Sequence, residues 1–264
     1  MKCSLGSIQI DNVTMQEAVS VIVRMAQKTG VPRLVCTANL DHLATVRTDS
    51  EFLAIYKNAD FVVADGMPLI WLSRFCNCRL KERIAGSDLF WELGRVSAST
   101  GIRLFFLGGQ PGAAAKAESA ILLRFPGAQV VGTYCPPFGT LDDPVELKNI
   151  RDVIQNVSPD VLLVGFGSPK QEKWISNYKD VLGVPVSIGI GGSFDMAAGV
   201  VKRAPAWMQM NGLEWLFRLQ QEPKRLWRRY FGKDMPFLGW MLISVMADRL
   251  ALTFSPNRRS SKVP

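Results

Sequence analysis

Six short apolar runs punctuate the first two hundred residues, and each stops at a glycine or a polar side chain. They are residues 33–37 (R-L-V-C-T), 60–64 (D-F-V-V-A), 103–107 (R-L-F-F-L), 128–132, 160–164 (D-V-L-L-V) and 184–190. Runs without polar alternation read as strands buried on both faces. Before and between them lie stretches with apolar residues at helical spacing: 15–28, 50–57, 111–125, 144–156 and 169–178. Strand and helix in alternation predict an α/β fold, a Rossmann-like, mostly parallel sheet flanked by helices. Pro111 is expected at the first position of its helix, where its missing N–H would have no partner, and Pro169 is expected to open the last of them. In such sheets ligands bind outside the carboxyl ends of the strands. Those ends carry Thr37 and Asn39, Asp65 and Gly66, Gly108 and Gly109, Gly165 and Gly167, and Gly191 and Gly192. The pattern predicts a nucleotide-type crevice.

The rhythm breaks after Arg203. Residues 1–201 carry 19 Lys+Arg and 19 Asp+Glu, while residues 202–264 carry 12 and 4, so the whole net charge of +8 falls in the last 63 residues. Residues 213–230 read as one helix mixing Trp215, Leu216, Leu219, Leu226, Trp227 and Tyr230 with Arg218, Lys224, Arg225, Arg228 and Arg229. Residues 235–247 follow without a formal charge, too short for the about 20 apolar residues that span a bilayer. A basic helix carrying Trp and Leu predicts attachment at an anionic membrane surface. The expected division is a Rossmann-like domain over 1–201, a membrane-associating helical appendage over 202–252, and a disordered tail over 253–264.

Several chemistries drop out. His42 is the single histidine, which excludes His-rich metal centres. No G-x-S-x-G accompanies it for a hydrolase, and no G-x-G-x-x-G follows the first strand for a dinucleotide oxidoreductase. Five cysteines at irregular spacing, with no C-x-x-C, are expected to be buried thiols in a reducing compartment. No secretory signal is visible in residues 1–11, so a cytoplasmic location is expected.

The strand ends supply the candidate chemistry. Asp65 is either a general base at the crevice floor or a turn aspartate accepting backbone N–H bonds. Thr37 and Asn39 either grip a sugar or phosphate or form a capped turn. Arg83, in Glu82-Arg83-Ile84-Ala85-Gly86, offers a bidentate fork for a diphosphate, or a surface ion pair. Gly108 and Gly109 allow backbone N–H groups to face phosphate, or form a plain strand-to-helix turn. Lys170, Gln171 and Glu172 crowd a helix start beside the crevice. Asp195, after the Gly189–Gly192 turn, suits a base or ribose, or the glycines form a close strand-to-helix packing turn. No D-x-D is present, so a metal-held diphosphate is not expected, and no cofactor or metal ligand set is assigned.

Taken together and in order, these blocks resemble the WecG/TagA/CpsF glycosyltransferases (glycosyltransferase family 26). The matching pieces are Thr37-Ala38-Asn39, Ala64-Asp65-Gly66-Met67-Pro68, Glu82-Arg83-Ile84-Ala85-Gly86-Ser87-Asp88, Phe106-Leu107-Gly108-Gly109, Gly165-Phe166-Gly167-Ser168-Pro169-Lys170-Gln171-Glu172, Gly191-Gly192-Ser193-Phe194-Asp195 and Arg203-Ala204-Pro205. Glu214-Trp215-Leu216-Phe217-Arg218-Leu219, Glu222-Pro223-Lys224-Arg225 and Arg228-Arg229-Tyr230 complete the set. The resemblance runs from about residue 5 to 232 and leaves out the apolar stretch after Lys233. It implies an inverting, metal-independent transferase at the inner face of the cell membrane. The donor would be a UDP-sugar (N-acetylmannosamine, its uronic acid, or glucose) and the acceptor an undecaprenyl-diphosphate-linked saccharide. It makes Asp65 the base. It puts Thr37, Asn39 and Gln171 on donor or acceptor sugar, Arg83 near the site, Asp195 on the nucleotide side, and Arg218, Arg225 and Arg228 near diphosphate at the membrane. A homo-oligomer is left open. The basic tail also admits a nucleic-acid-binding or non-catalytic scaffold reading, which the interleaved Leu, Phe and Met and the trio Asp65, Arg83 and Gln171 speak against; no nucleic-acid partner is expected.

Overall fold

Neighbouring side chains on one strand enter two different cores. Leu104 and Phe106 pack on one face of the sheet, Phe105 and Leu107 on the other, and all four are fully buried. The two-residue pleat dictates this split, and it explains runs with no polar alternation. Each such phenylalanine contributes about 1.5–3 kcal/mol by leaving water.

The computed structural model describes residues 1–28, 30–76 and 78–254; the side chains of Ala206, Met210, Arg225 and residues 245–254 are outside that description. The expected tail therefore lies, from residue 255 on, outside the described residues. A hairpin opens the chain, β1 (Lys2–Leu5) and β2 (Ile8–Asp11), antiparallel and separate from the main sheet. The main sheet has six parallel strands: β3 (Arg33–Ala38), β4 (Phe61–Ala64), β5 (Arg103–Gly108), β6 (Gln129–Tyr134), β7 (Val161–Gly165) and β8 (Val186–Gly189). Their order is β4-β3-β8-β7-β5-β6. The helices among them are α1 (Met15–Ala26), α2 (Leu40–Thr45), α3 (Ser50–Asn58), α4 (Met67–Phe75), α5 (Gly86–Thr100), α6 (Ala113–Arg124), α7 (Pro144–Val157), α8 (Lys170–Leu182) and α9 (Ser193–Ala197).

The hairpin and helices α2, α3, α4, α7 and α8 cover one face; α1, α5, α6 and α9 cover the other. Strands β3 and β8 are neighbours, yet the chain leaves β3 into α2 on the first face and β8 into α9 on the second. The chain thus parts to opposite faces between these two strands, the place at the carboxyl ends where sheets of this kind bind ligands.

Two proline expectations are corrected. Helix α6 starts at Ala113, after Gly112 at φ +78°, so Pro111 lies in the turn before it. Helix α8 starts at Lys170, with Pro169 capping it after a cis Ser168–Pro169 bond, and it runs four residues past Tyr178.

The cysteine expectation is also corrected. Cys3 and Cys78 form a disulfide, with Cα atoms 5.5 Å apart across a sequence separation of 75. Strand β1 docks near α4, and this brings two distant cysteines within bridging range, which spacing along the chain cannot reveal. Cys36 is a buried thiol, as expected. The bridge stands beside a strap, residues 79–83, that joins α4 to α5. Asn12 Nδ2 donates to the Arg79 carbonyl (2.6 Å), and its Oδ1 accepts from Lys81 N (2.8 Å). Glu82 Oε2 accepts from Met15 N (2.8 Å), and Ile84 N donates to the Ala64 carbonyl (2.7 Å). The strap is thus held between the amino-terminal segment and the end of β4.

The basic region folds into α10 (Ala206–Met210), α11 (Glu214–Gln221), α12 (Pro223–Arg229), a π-turn (Tyr230–Asp234) and α13 (Met235–Phe254). The single helix expected over 213–230 is two. Pro223 forces Glu222 out of helical geometry (φ −129°, ψ 59°) and breaks it there. Among the described residues no helix is long and apolar enough to cross a membrane. Phe237 and Met241 of α13 join the core of the first face. An ion cluster locks the π-turn to α2: Lys233 Nζ reaches Asp41 Oδ1 and Thr45 Oγ1 at 2.6 Å each. Arg229 Nε lies 3.5 Å from Asp41 Oδ2 and 3.3 Å from Asp234 Oδ2. Replacing Lys233 by methionine removes one bond to a largely buried carboxylate and one to the Thr45 hydroxyl, a loss of about 1–2 kcal/mol. Amide hydrogen exchange across residues 223–234 is expected to speed up roughly tenfold, with the sheet strands unchanged.

Candidate active site

Asp65 is the first residue after β4. Its N–H bonds the Ala38 carbonyl (2.6 Å), which fixes it beside the end of β3, and Gly66 then turns at φ +108°. The turn aims the carboxylate at the amino end of α5, where Gly86 N lies 3.5 Å from Oδ2. Desolvation pushes the Asp65 carboxyl up from 3.8 to about 6, and the charge of Glu214 pushes the same way. Arg218, Arg83 and the Gly86 N–H oppose that rise without cancelling it. The result is a carboxylate ionised at neutral pH yet more basic than a solvated one.

Arg83 sits between two carboxylates. Its Nη1 is 2.8 Å from Glu214 Oε2 and its Nη2 is 3.1 Å from Asp88 Oδ2. Asp88 also pairs with Arg203, and Glu214 Oε1 lies 3.6 Å from Arg218 Nη2. Beyond Arg83, toward α5, opens a cleft of about 570 Å³ lined by Arg83, Asp88, Trp91, Arg124, Arg203 and Gln209. Helix α11 therefore brings charge from the end of the chain to Asp65.

The other sequence candidates divide. Thr37 Oγ1 is buried and donates to the Gly189 carbonyl (3.0 Å). Gln171 is buried as well: its Oε1 accepts from Gly191 N (2.9 Å) and its Nε2 donates to Glu172 Oε1 (2.8 Å). A Cβ on Gly189 would meet Gln171 Nε2 at 2.6 Å, so glycine is required under that amide. Both side chains thus grip the turn after β8. Asn39 Oδ1 caps α2 by accepting from His42 N (3.1 Å), the capped-turn reading, with its amide N–H₂ unbonded among the described residues. Gly108 and Gly109 take φ +98° and +79°, and a Cβ on Gly108 would sit 2.7 Å from the Phe166 ring. Asp195 Oδ1 accepts from Gln110 N (3.0 Å) and ties α9 to that glycine turn. Arg218 reaches the Asp65 cluster. Arg228 does not; it is exposed beside Pro223, Lys224 and Trp227. The Arg225 side chain lies outside the described ones. Asp88, Arg203 and Glu214 belong to the cluster although only the resemblance had touched them, with no role. Glu214 is 131 residues from Arg83, so no local spacing could join them.

The sequence pattern of the glycosyl transferase WecG/TagA/CpsF family matches residues 3–250. The chain belongs to this family. The match extends through most of α13, past the stop near residue 232 expected from the resemblance. The family member is 35% identical over 203 residues to N-acetylglucosaminyldiphosphoundecaprenol N-acetyl-beta-D-mannosaminyltransferase of Bacillus subtilis (strain 168), covering 77% of this chain and 76% of that one. The enzyme of the same name from Staphylococcus aureus (strain MW2) is 28% identical over 228 residues, 86% and 87% of the two chains. This WecG/TagA/CpsF protein is a glycosyltransferase.

The Asp65 shift carries a stability cost with a definite sign. The folded state holds this proton more tightly than the unfolded state. The cost is absent below about pH 4 and complete above about pH 6, where a shift from 3.8 to about 6 amounts to roughly 3 kcal/mol. Asp65→Asn in the transferase is expected to be more stable than the wild type by roughly 2–3 kcal/mol at pH 8 and equal to it near pH 4. Urea unfolding at the two pH values measures this.

Proposed function

We propose that this transferase moves N-acetylmannosamine from a UDP-sugar to the N-acetylglucosamine of an undecaprenyl-diphosphate-linked acceptor, with inversion at the anomeric carbon. The observation that carries the reading is Asp65, desolvated at the crevice with a pKa of about 6 and flanked by Arg83 and Arg218. A base so poised is ionised at neutral pH and strong enough to accept a hydroxyl proton. The acceptor hydroxyl gives its proton to Asp65, its oxygen forms the new bond to the anomeric carbon, and the bond from that carbon to the diphosphate oxygen breaks. UDP leaves with the electron pair, and guanidinium charge favours it. The relatives' names supply the sugar pair. The missing D-x-D supplies the expectation of metal independence.

Thr37 and Gln171 act in this reading by fixing the turn after β8, while Asn39 Nδ2 and Asp195 Oδ2 keep bonding capacity for sugar and ribose. A transfer assay with labelled UDP-N-acetylmannosamine and a prenyl-diphosphate N-acetylglucosamine acceptor tests the proposal. Wild-type turnover should survive EDTA, and Asp65→Asn should lose at least a hundredfold while staying folded. Wild-type rates from the folded variant would end the assignment.

The acceptor is anchored in a bilayer, and the far end of the chain suits that surface. Trp207, Trp227, Phe231, Trp240 and Ile243 are exposed, and Lys224 and Arg228 stand beside Trp227. Aromatic rings and cations together favour an anionic interface. Replacing Lys224, Trp227 and Arg228 by serine should cut sedimentation with anionic vesicles severalfold. Unchanged sedimentation would remove the membrane role from this patch.

A further inference from the structure

Glu214 is the first residue of α11, and its side chain is 16% exposed. It is the one carboxylate in contact with both Arg83 (2.8 Å) and Arg218 (3.6 Å) among the described residues. Both guanidiniums act electrostatically on Asp65, yet among the described residues neither forms an ion pair with it. Two cations next to a partly buried carboxylate would normally close on it, because the attraction strengthens as water is excluded. Here they close on Glu214 instead. Arg83 is further held by Asp88 on its other nitrogen (3.1 Å), so its fork is fixed in a plane set by two carboxylates.

We propose that Glu214 is a positioning residue for the transfer reaction, holding Arg83 and Arg218 off Asp65 so that the base keeps its affinity for the acceptor proton. The proposal rests on the reading of Asp65 as general base. Every charged group facing Asp65 enters the balance. Glu214 and Arg218 come from α11, Arg83 from the strap, and the Gly86 N–H from the amino end of α5. Tyr56 of α3 is also within electrostatic reach, and its own hydroxyl is pushed up chiefly by burial. Of these charges Glu214 alone makes Asp65 more basic. Without it two guanidiniums face Asp65, and Asp88, already shared with Arg203, is left to hold Arg83. Asp65 then becomes an ion-pair partner and a poor proton acceptor. The same contact makes catalysis depend on α11 being docked, because Glu214 comes with that helix.

The test is the pH dependence of kcat/KM for the full-length enzyme with donor and lipid-linked acceptor. The wild-type acid limb should lie near pH 6, the value for Asp65. Glu214→Gln preserves shape and removes the charge. It should move the limb down by about one pH unit or more and lower the plateau of kcat roughly tenfold. Glu214→Asp should restore the limb toward the wild-type position. Arg218→Gln, at a half-exposed site that does not threaten folding, should move the limb upward, the opposite direction. A purely structural Glu214 would lower rates equally at every pH, and a limb unmoved in both Glu214→Gln and Arg218→Gln would overturn the proposal. If Glu214→Gln does not fold, the upward shift in Arg218→Gln decides alone. An active Asp65→Asn would sink the base assignment itself, whereas an inactive Asp65→Asn with unmoved limbs in the other variants would sink only the role of Glu214.

Discussion

The contact between Arg83 and Glu214 joins two distant parts of this chain beside Asp65. One partner comes from a strap that follows the second strand of the main sheet, the other from a helix 131 residues later. A parallel sheet needs long crossovers and leaves its carboxyl ends bare. It can present a carboxylate such as Asp65 there, but it cannot by itself surround that carboxylate with charge. Helix α11 does so, and the ion cluster between α2 and the π-turn keeps the following helices in place. The positive charge of the last 63 residues is therefore partly internal. Arg218 and Arg229 face carboxylates of the fold, while Lys224 and Arg228 face solvent.

Much of the sheet was readable because buried parallel strands need unbroken apolar runs, and these stand out against helical periodicity. Asp65 was readable because it ends such a run just ahead of a glycine. The hairpin of residues 2–11 was not, because its two four-residue strands alternate buried and exposed positions over too short a span. The Cys3–Cys78 bridge and the role of Glu214 depend on packing across 75 and 131 residues, which no local pattern encodes. Helix starts were misjudged at Pro111 and Pro169 because proline fits a turn before a helix as well as its first position.

Thr37 and Gln171 show a subtler limit. The sequence marks Thr37 at a strand end and Gln171 at a helix start beside the expected crevice, and the structure places Thr37 in β3 and Gln171 in α8. Their hydrogen-bonding atoms, however, point at Gly189 and Gly191. A ligand site needs a rigid backbone as much as it needs contacts, and buried side chains that lock a glycine turn supply that rigidity. Residue type and spacing cannot separate a group that touches a ligand from one that shapes the loop touching it.

Among the described residues, the strap that carries Arg83 has no hydrogen-bonded partner strand of its own. Asn12 pins two of its backbone groups, Glu82 reaches back to Met15, Lys81 pairs with Glu17, and the bridge to Cys3 stands at its entrance. The first seventeen residues thus buttress the segment that carries Arg83, and Met15 itself lines the cleft beside that guanidinium. In the proposed mechanism, trimming or fusing at the amino terminus acts on the position of that guanidinium, and reduction of one sulfur pair acts along the same line.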